Sequence, residues 1–211
     1  MEYQRIDTAS EHPLIIDCQR TLAKQVLQLC NIPFRGKMLD IGPGKGIFTR
    51  FFLQLGFEVT CIDVDSTFSD EFRHLGAQFV KADLREGRLP VEDHSFDVIW
   101  CSHVIEHVLD THGFLLECNR VLKQDGYVII RTPDLKKVQF NFWWDPTHVH
   151  PFIRISLERA LILAGFQPVL VSNCDLPNLR GLHRVRAYRW LPFLNWMGDN
   201  LIGVGVKRGN R

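Results

Sequence analysis

The chain lacks most features that would commit it to a membrane, an oxidising compartment or a polyanion. Its 211 residues contain no CxxC pair, no internal repeat, no low-complexity segment and no apolar run long enough to span a bilayer. Met1-Glu2-Tyr3-Gln4-Arg5 does not have the charged-then-apolar form of a signal peptide. An excess of one charge is missing too. The formal net charge is +1, which argues against broad nucleic-acid binding and leaves room only for a local basic patch. Six scattered cysteines, mostly in apolar runs, read as reduced core residues rather than a disulfide frame. A cytoplasmic setting is expected, and the oligomeric state is not legible. What is present, 45% hydrophobic and 23% charged residues, suits one domain with a large core.

One stretch organises the rest: Met38-Leu39-Asp40-Ile41-Gly42-Pro43-Gly44-Lys45-Gly46. An apolar run ends in a carboxylate and meets glycines at alternate positions. Ile47, Phe48, Phe51, Phe52 and Leu55 follow at helical spacing. This predicts a buried strand, a tight turn, and a helix whose N-terminal N–H groups carry a partial positive charge. Glycine there tolerates positive φ and lets a ligand approach the main chain. An adenosine-containing cofactor suits such a pocket.

Strand and helix patterns alternate through the chain. Strands are predicted at 37–41, 57–62, 78–81, 96–101, 127–130, 167–172 and 201–206. A first helix covers 14–30, with Ile15, Cys18, Leu22, Val26 and Leu29 as its buried stripe. Others follow the glycine turn up to Gly56, cover 69–75, run past Phe114 and Leu115 to a cap at Gly126, and run from a Ser156 cap to Ala164. Such alternation implies a parallel sheet with helices on both faces, which binds ligands at the carboxyl ends of its strands. Asp40, Asp63 and Asp83 fall at those ends. The organisation expected is a single domain: a helical segment at 1–35, a cofactor core at 36–134, an active-site loop at 135–154 and an insert at 173–199.

Dinucleotide-binding dehydrogenases space their glycines GxGxxG and place a ribose acid about 20 residues on. Here the third glycine comes one residue early, and Asp63 suits either family. The wider set of motifs resembles class I S-adenosylmethionine-dependent methyltransferases. It comprises Leu39-Asp40-Ile41-Gly42-Pro43-Gly44-Lys45-Gly46, Val59-Thr60-Cys61-Ile62-Asp63-Val64-Asp65, Lys81-Ala82-Asp83-Leu84, Ser95-Phe96-Asp97-Val98-Ile99, Glu106-His107-Val108 and Arg120-Val121-Leu122-Lys123-Gln124-Asp125-Gly126-Tyr127. The resemblance implies a Rossmann-like, doubly wound α/β fold with a seven-stranded mixed sheet whose last strand is antiparallel. It also implies S-adenosylmethionine as cofactor. Gly42, Gly44 and Gly46 would lie under its methionine part and Asp40 near its amino group. Asp63 would accept both ribose hydroxyls, Val64 would pack on the adenine, Asp83 would take its exocyclic amine, and Leu84 and Ser102 would complete the pocket. Asp63 and Asp83 also fit turn residues or helix caps, the commoner use of a lone Asp.

Methyl transfer to a hydroxyl needs a base or a metal at the acceptor. Ser102-His103-Val104-Ile105-Glu106-His107 would put His103, Glu106 and His107 on one face of a helix. The spelling HxxEH is also that of inverzincin proteases, which the methyltransferase-like context disfavours. The segment is similar to the acid-x-x-Glu-His of ubiquinone-pathway and small-RNA methyltransferases, which bind a divalent cation. Here His103 replaces the first acid, which favours a nitrogen-tolerant ion over Mg²⁺. The region 132–154 reads as a long loop, and loops of that length are usually functional. Its Trp143-x-Asp145-Pro146-Thr147-His148-Val149 part resembles methyltransferases associated with bacterial surface-glycan assembly. His107 and His148 are thus the candidate bases, and His103, Glu106, His107 and His148 the candidate metal ligands. His150 takes the part of His148 if the loop turns the other way.

The insert holds Arg180, His183, Arg184, Arg186, Tyr188, Arg189 and Trp190. It reads as a cover over the substrate side or as a contact with anionic lipid or a lipid-linked substrate. The expected function is O-methylation of a small molecule or glycan. The alternatives are a metal-assisted O-methyltransferase on a quinone-like or RNA acceptor and a non-catalytic cofactor-binding partner subunit.

Overall fold

The computed structural model describes residues 13–84, 87–173 and 199–209, the side chains of 14 and 15 excepted. In chain order the elements are α1 (Pro13–Leu29), β1 (Gly36–Ile41), α2 (Ile47–Leu55), β2 (Phe57–Asp63), α3 (Ser69–His74), β3 (Gln78–Lys81), β4 (Phe96–Ser102), α4 (Thr111–Val121), β5 (Leu122–Pro133), α5 (Leu135–Val138), α6 (Arg154–Leu163), β6 (Phe166–Asn173) and β7 (Asn200–Lys207). Short 3₁₀ turns occupy Ile105–His107 and Gln139–Trp144.

The continuous apolar strands explain the layers. Leu39, Ile41, Ile99, Cys101, Val128 and Ile130 point to one face, where α4 and α6 bring Phe114, Leu115, Cys118, Leu157 and Leu161. Met38, Val98, Trp100 and Ile129 point to the other, under Leu22, Val26 and Leu27 of α1 and Phe52 of α2. Trp100 is fully buried, with the Phe48 and Phe52 rings 4.7 and 5.3 Å away. The strand order is β3-β2-β1-β4-β5-β7-β6. Strands β1 to β5 pair in parallel, while β7 is antiparallel to both β5 and β6. This is the doubly wound seven-stranded mixed sheet expected, with β7 antiparallel. Its order reverses between β1 and β4, where the carboxyl ends of the strands open a ligand crevice.

Several local expectations are corrected. The buried side of α1 is Leu22, Ala23, Val26 and Leu27, neighbours at i and i+4, whereas Leu29 is 73% exposed. Gly126 does not cap α4. That helix stops at Val121, Leu122 turns extended, and the positive φ falls on Asp125. A Cβ at Gly126 would instead lie 2.9 Å from the Lys123 carbonyl, so the glycine answers to packing. Ser156 is the third residue of α6 rather than its cap; its hydroxyl accepts the Ile153 N–H at 2.9 Å. The long loop at 132–154 is largely structured, because β5 continues to Pro133 and α5 and a 3₁₀ turn follow. Residues 174–198, with the arginines and aromatics of the insert, lie outside the described residues.

Candidate active site

The crevice is built from the turns after β1, β2, β3 and β4. After β1, Gly42, Gly44 and Gly46 all have positive φ (66°, 53° and 73°). A Cβ at Gly42 would stand 2.4 Å from Val104 Cγ2, so the side chain after His103 packs directly on the glycine turn. A Cβ at Gly44 would meet nothing within 4 Å. That position is therefore bare backbone facing open space, the geometry a ligand lying on the main chain requires. The Gly42 N–H is tied to the Ile62 carbonyl at 2.8 Å, which locks this turn to β2.

Asp40 sits beneath the turn, 1% exposed, and Thr49 Oγ1 from the first turn of α2 donates to its Oδ2 at 2.6 Å. Burial pushes its carboxyl up to about 7. The Thr49 hydrogen bond opposes that rise, and the neighbouring Asp63 charge adds to it. Asp63 ends β2 half-buried, and its Oδ1 accepts the Asp65 N–H at 3.0 Å in an Asx turn. Val64 beside it is 54% exposed. Asp83 and Leu84 follow β3, and Ser102 ends β4; all three are half-buried. All nine residues expected to bind cofactor thus line turns or strand ends on one rim. Thr49 was missed. Its only sequence signal is a polar residue inside the apolar face of α2.

The segment after β4 is not the helix expected. His103 has φ 56°, and only Ile105–His107 form a 3₁₀ turn. Three residues are gathered by hydrogen bonds instead. Glu106 is completely buried, and its Oε1 takes His103 Nδ1 while its Oε2 takes Thr132 Oγ1, each at 3.0 Å. Its main-chain carbonyl accepts the N–H groups of Val149 and His150 at 2.8 and 3.1 Å. Burial pushes the Glu106 carboxyl up. The His103 hydrogen bond, the His103 charge and the His107 charge outweigh that, so the net direction is down and the group is ionised at neutral pH.

This tether fixes the second loop against the first. The rings of His107 and His148 stand 4.7 Å apart, and the Phe142 ring packs against His148 at 4.5 Å, tilted by 35°. The partners define the tautomers. His148 Nδ1 lies 2.7 Å from the Phe142 carbonyl, an acceptor, so it carries the proton. His107 Nδ1 faces the Thr147 carbonyl at 3.3 Å and the Thr147 hydroxyl at 2.8 Å. That hydroxyl gives its own proton to Asp145 Oδ1 at 2.6 Å, so it accepts from His107. In their neutral forms both imidazoles therefore place the lone pair on Nε2. Burial raises the Asp145 carboxyl, but the two Thr147 hydrogen bonds and the His148 and His107 charges lower it on balance.

Glu106, His107 and His148 each offer a ligand atom, and these lie within 4.8 Å of one another. They have the donor types of a small metal site, and His148 has the carbonyl behind its far nitrogen that orients metal-binding imidazoles. His103 is not in that group; its place is on Glu106. His150 turns the other way, with Nε2 2.8 Å from the Leu109 carbonyl. Thr132 and Thr147 were not singled out from sequence, although the Asp145-Pro146-Thr147 spelling is an Asx-turn signal that locates the second.

Residues 39–130 match the family model described as a methyltransferase domain. A Mycolicibacterium smegmatis protein named "Probable S-adenosylmethionine-dependent methyltransferase" is 30% identical over 62% of this chain and 51% of its own length. A ubiquinone biosynthesis O-methyltransferase from Maricaulis maris is 35% identical over 58% of this chain and 54% of its own. The chain thus spans about half the length of these curated relatives. A solved S-adenosylmethionine-dependent methyltransferase from Mesorhizobium loti shares the fold, with TM-score 0.72 and 17% identity over 90% of this chain and 100% of that one. Among the described residues no helix is long and apolar enough to cross a membrane. With its motifs in register from β1 to β5 and its last strand antiparallel, the chain is similar to S-adenosylmethionine-dependent methyltransferases over residues 39–130 and shares their fold.

Proposed function

We propose that this chain transfers a methyl group from S-adenosylmethionine to a hydroxyl of a small molecule or glycan. The observation that carries this reading is the His107–His148 pair, two residues with Nε2 lone pairs, one short turn from Val104 on the glycine turn. Bound S-adenosylmethionine supplies a methyl already activated on a sulfonium. The protein's work is then to align the acceptor and remove its proton. Gly44 offers bare backbone to the methionine portion, Asp63 a carboxylate to the ribose diol, and Val64 an apolar face to the adenine. Asp83, Leu84 and Ser102 close the rim, and Asp40 sets a negative charge below the turn. His107 receives the acceptor proton at Nε2, while Thr147 and Asp145 hold its Nδ1–H. The five cysteines among the described residues are free thiols, which supports a reducing, cytoplasmic setting.

A second reading, a divalent ion held by Glu106, His107 and His148, is favoured by their grouping within 4.8 Å. One experiment tests both. Purified protein is incubated with S-adenosylmethionine and a pool of small hydroxylated metabolites and glycans, and S-adenosylhomocysteine is followed with and without EDTA. Acceptor-dependent product in EDTA supports the histidine base alone. Loss in EDTA with recovery on adding Mn²⁺ or Zn²⁺ supports the metal. Cofactor binding without turnover on any acceptor sinks both and leaves a non-catalytic partner subunit.

Asp40 makes a separate expectation. Its folded pKa of about 7 is raised, so its contribution to apo stability is present below the ordinary carboxylate range and is lost as pH rises through about 7. The cofactor's ammonium and sulfonium reverse this preference, so binding below pH 7 expels a proton. Calorimetry from pH 5.5 to 8 is expected to show affinity falling by about tenfold per unit below 7. Asp40→Asn should bind more weakly at pH 8 and show a flat profile. An equally steep profile in that variant would rule Asp40 out.

A further inference from the structure

We propose that the segment 136–144 is a membrane-surface anchor that sets the His107–His148 rim against an anionic bilayer. The proposal goes beyond the methyl-transfer reading and stands or falls without it. Within five residues of the second 3₁₀ turn, Phe140 is 85% exposed, Trp143 54% and Trp144 79%. A single ring of that turn, Phe142, points inward at 1% exposure. It meets Trp143 edge-on at 4.9 Å and His148 at 4.5 Å, and the Phe142 carbonyl receives His148 Nδ1 at 2.7 Å. The three outward rings are therefore carried on an anchored turn. Val149 (37%) and Ile155 (50%) are exposed as well.

Three exposed aromatic rings within five residues of a folded chain mark an interaction surface, and the residue types indicate its partner. Indole rings prefer the headgroup level of a bilayer, where the ring is apolar and the N–H is wet. Cations flank the aromatic segment in the chain. Lys136 and Lys137 are exposed on α5, and exposed Arg154 starts α6 two residues after Phe152, whose carbonyl takes the Leu135 N–H at 2.9 Å. Of the nearby acids, Asp134 is buried and tied to Lys136 N and Asn173, Asp145 is held by Thr147, and Asp199 faces Lys137. Lys136 and Arg154 thus supply the positive face toward lipid phosphates, and their long stems let the charges reach headgroups while the rings enter the interface. This occupant also fits the position of the patch, since it places the candidate acceptor site at the plane of the headgroups.

The test is sedimentation of the full chain with vesicles of phosphatidylcholine alone and of equimolar phosphatidylcholine and phosphatidylglycerol. Binding is expected to be stronger on the anionic vesicles and to fall with salt. Phe140→Ser/Trp143→Ser/Trp144→Ser together should lower partitioning by roughly tenfold or more. Should the triple variant fail to fold by circular dichroism, Trp144→Ser alone should still lower it severalfold. Lys136→Glu/Arg154→Glu should abolish the preference for anionic vesicles. Absence of sedimentation with either vesicle overturns the proposal. So does binding that the serine variants leave unchanged, which would place lipid contact elsewhere in the chain. A dimer in light scattering that the serine variants dissolve, with no vesicle binding, also overturns it and gives the patch to a second copy.

Discussion

Replacing Asp63 by alanine is expected to weaken S-adenosylmethionine binding by about a hundredfold and to leave the sheet intact. The estimate rests on two hydroxyl hydrogen bonds to one carboxylate, each contributing about 1.5 kcal/mol when the acceptor is charged. The fold should survive because β2 holds β3 through main-chain groups. The Asp63 carbonyl accepts the Ala82 N–H at 3.0 Å, and the register Asp63↔Lys81 is unaffected by the side chain. What the side chain gives locally is the Asx-turn bond to Asp65 N at 3.0 Å, whose loss costs about 1 kcal/mol. Part of that is offset, because the Asp63 charge raises the buried Asp40 carboxyl and its removal relieves the repulsion. Asp63→Asn grades the result. An amide still accepts the Asp65 N–H but serves only one hydroxyl as acceptor, so the loss should be about tenfold. Calorimetry on the three proteins reads all of this. Wild-type affinity in the alanine variant would show that Asp63 is only a turn residue.

The order of legibility in this chain follows the range of the interactions. Strands β1, β2 and β4 were readable because burial on both faces makes them continuous apolar runs, and the glycines after β1 because three positive-φ residues leave few substitutes. The rim acids were readable because a parallel sheet puts strand ends on one side. What failed depended on contacts from distant sequence. The segment from His103 to His107 has helical spacing, yet Glu106 is drawn inward by Thr132, 26 positions away, and its carbonyl is used by Val149 and His150. That demand cannot be seen in a local window, and it turns a presumed helix into a single 3₁₀ turn. The choice between His148 and His150 failed to resolve for the same reason. It depends on the Phe142 and Leu109 carbonyls, neither of which has a side-chain signature. The aromatic patch was visible as letters, but its exposure was not, because Phe142 and its neighbours are chemically alike and only the turn decides which ring points in.

The larger effect is expected at the histidines. His107→Ala should lower kcat by about 10²- to 10⁴-fold, the usual contribution of a positioned general base, with cofactor affinity unchanged. His148→Ala should lose nearly as much, because its ring lies 4.7 Å from His107 and Phe142 packs against it. Residues acting as one unit are not additive, so the double variant should be little worse than the poorer single. Thr147→Val separates positioning from chemistry. It removes the hydroxyl at 2.8 Å from His107 Nδ1 and leaves only the carbonyl at 3.3 Å. The imidazole stays but its tautomer is less firmly held, which predicts roughly a tenfold loss in kcat and little change in KM. Glu106→Gln distinguishes base from metal. An amide can still accept His103 Nδ1–H and donate to Thr132, whose hydroxyl can rotate to accept. A histidine base therefore tolerates Gln within a few-fold. A metal site does not, because it loses its one anionic ligand, and activity should then recover only at high added Mn²⁺ or Zn²⁺. Full activity in both alanine variants would remove the pair from the chemistry altogether.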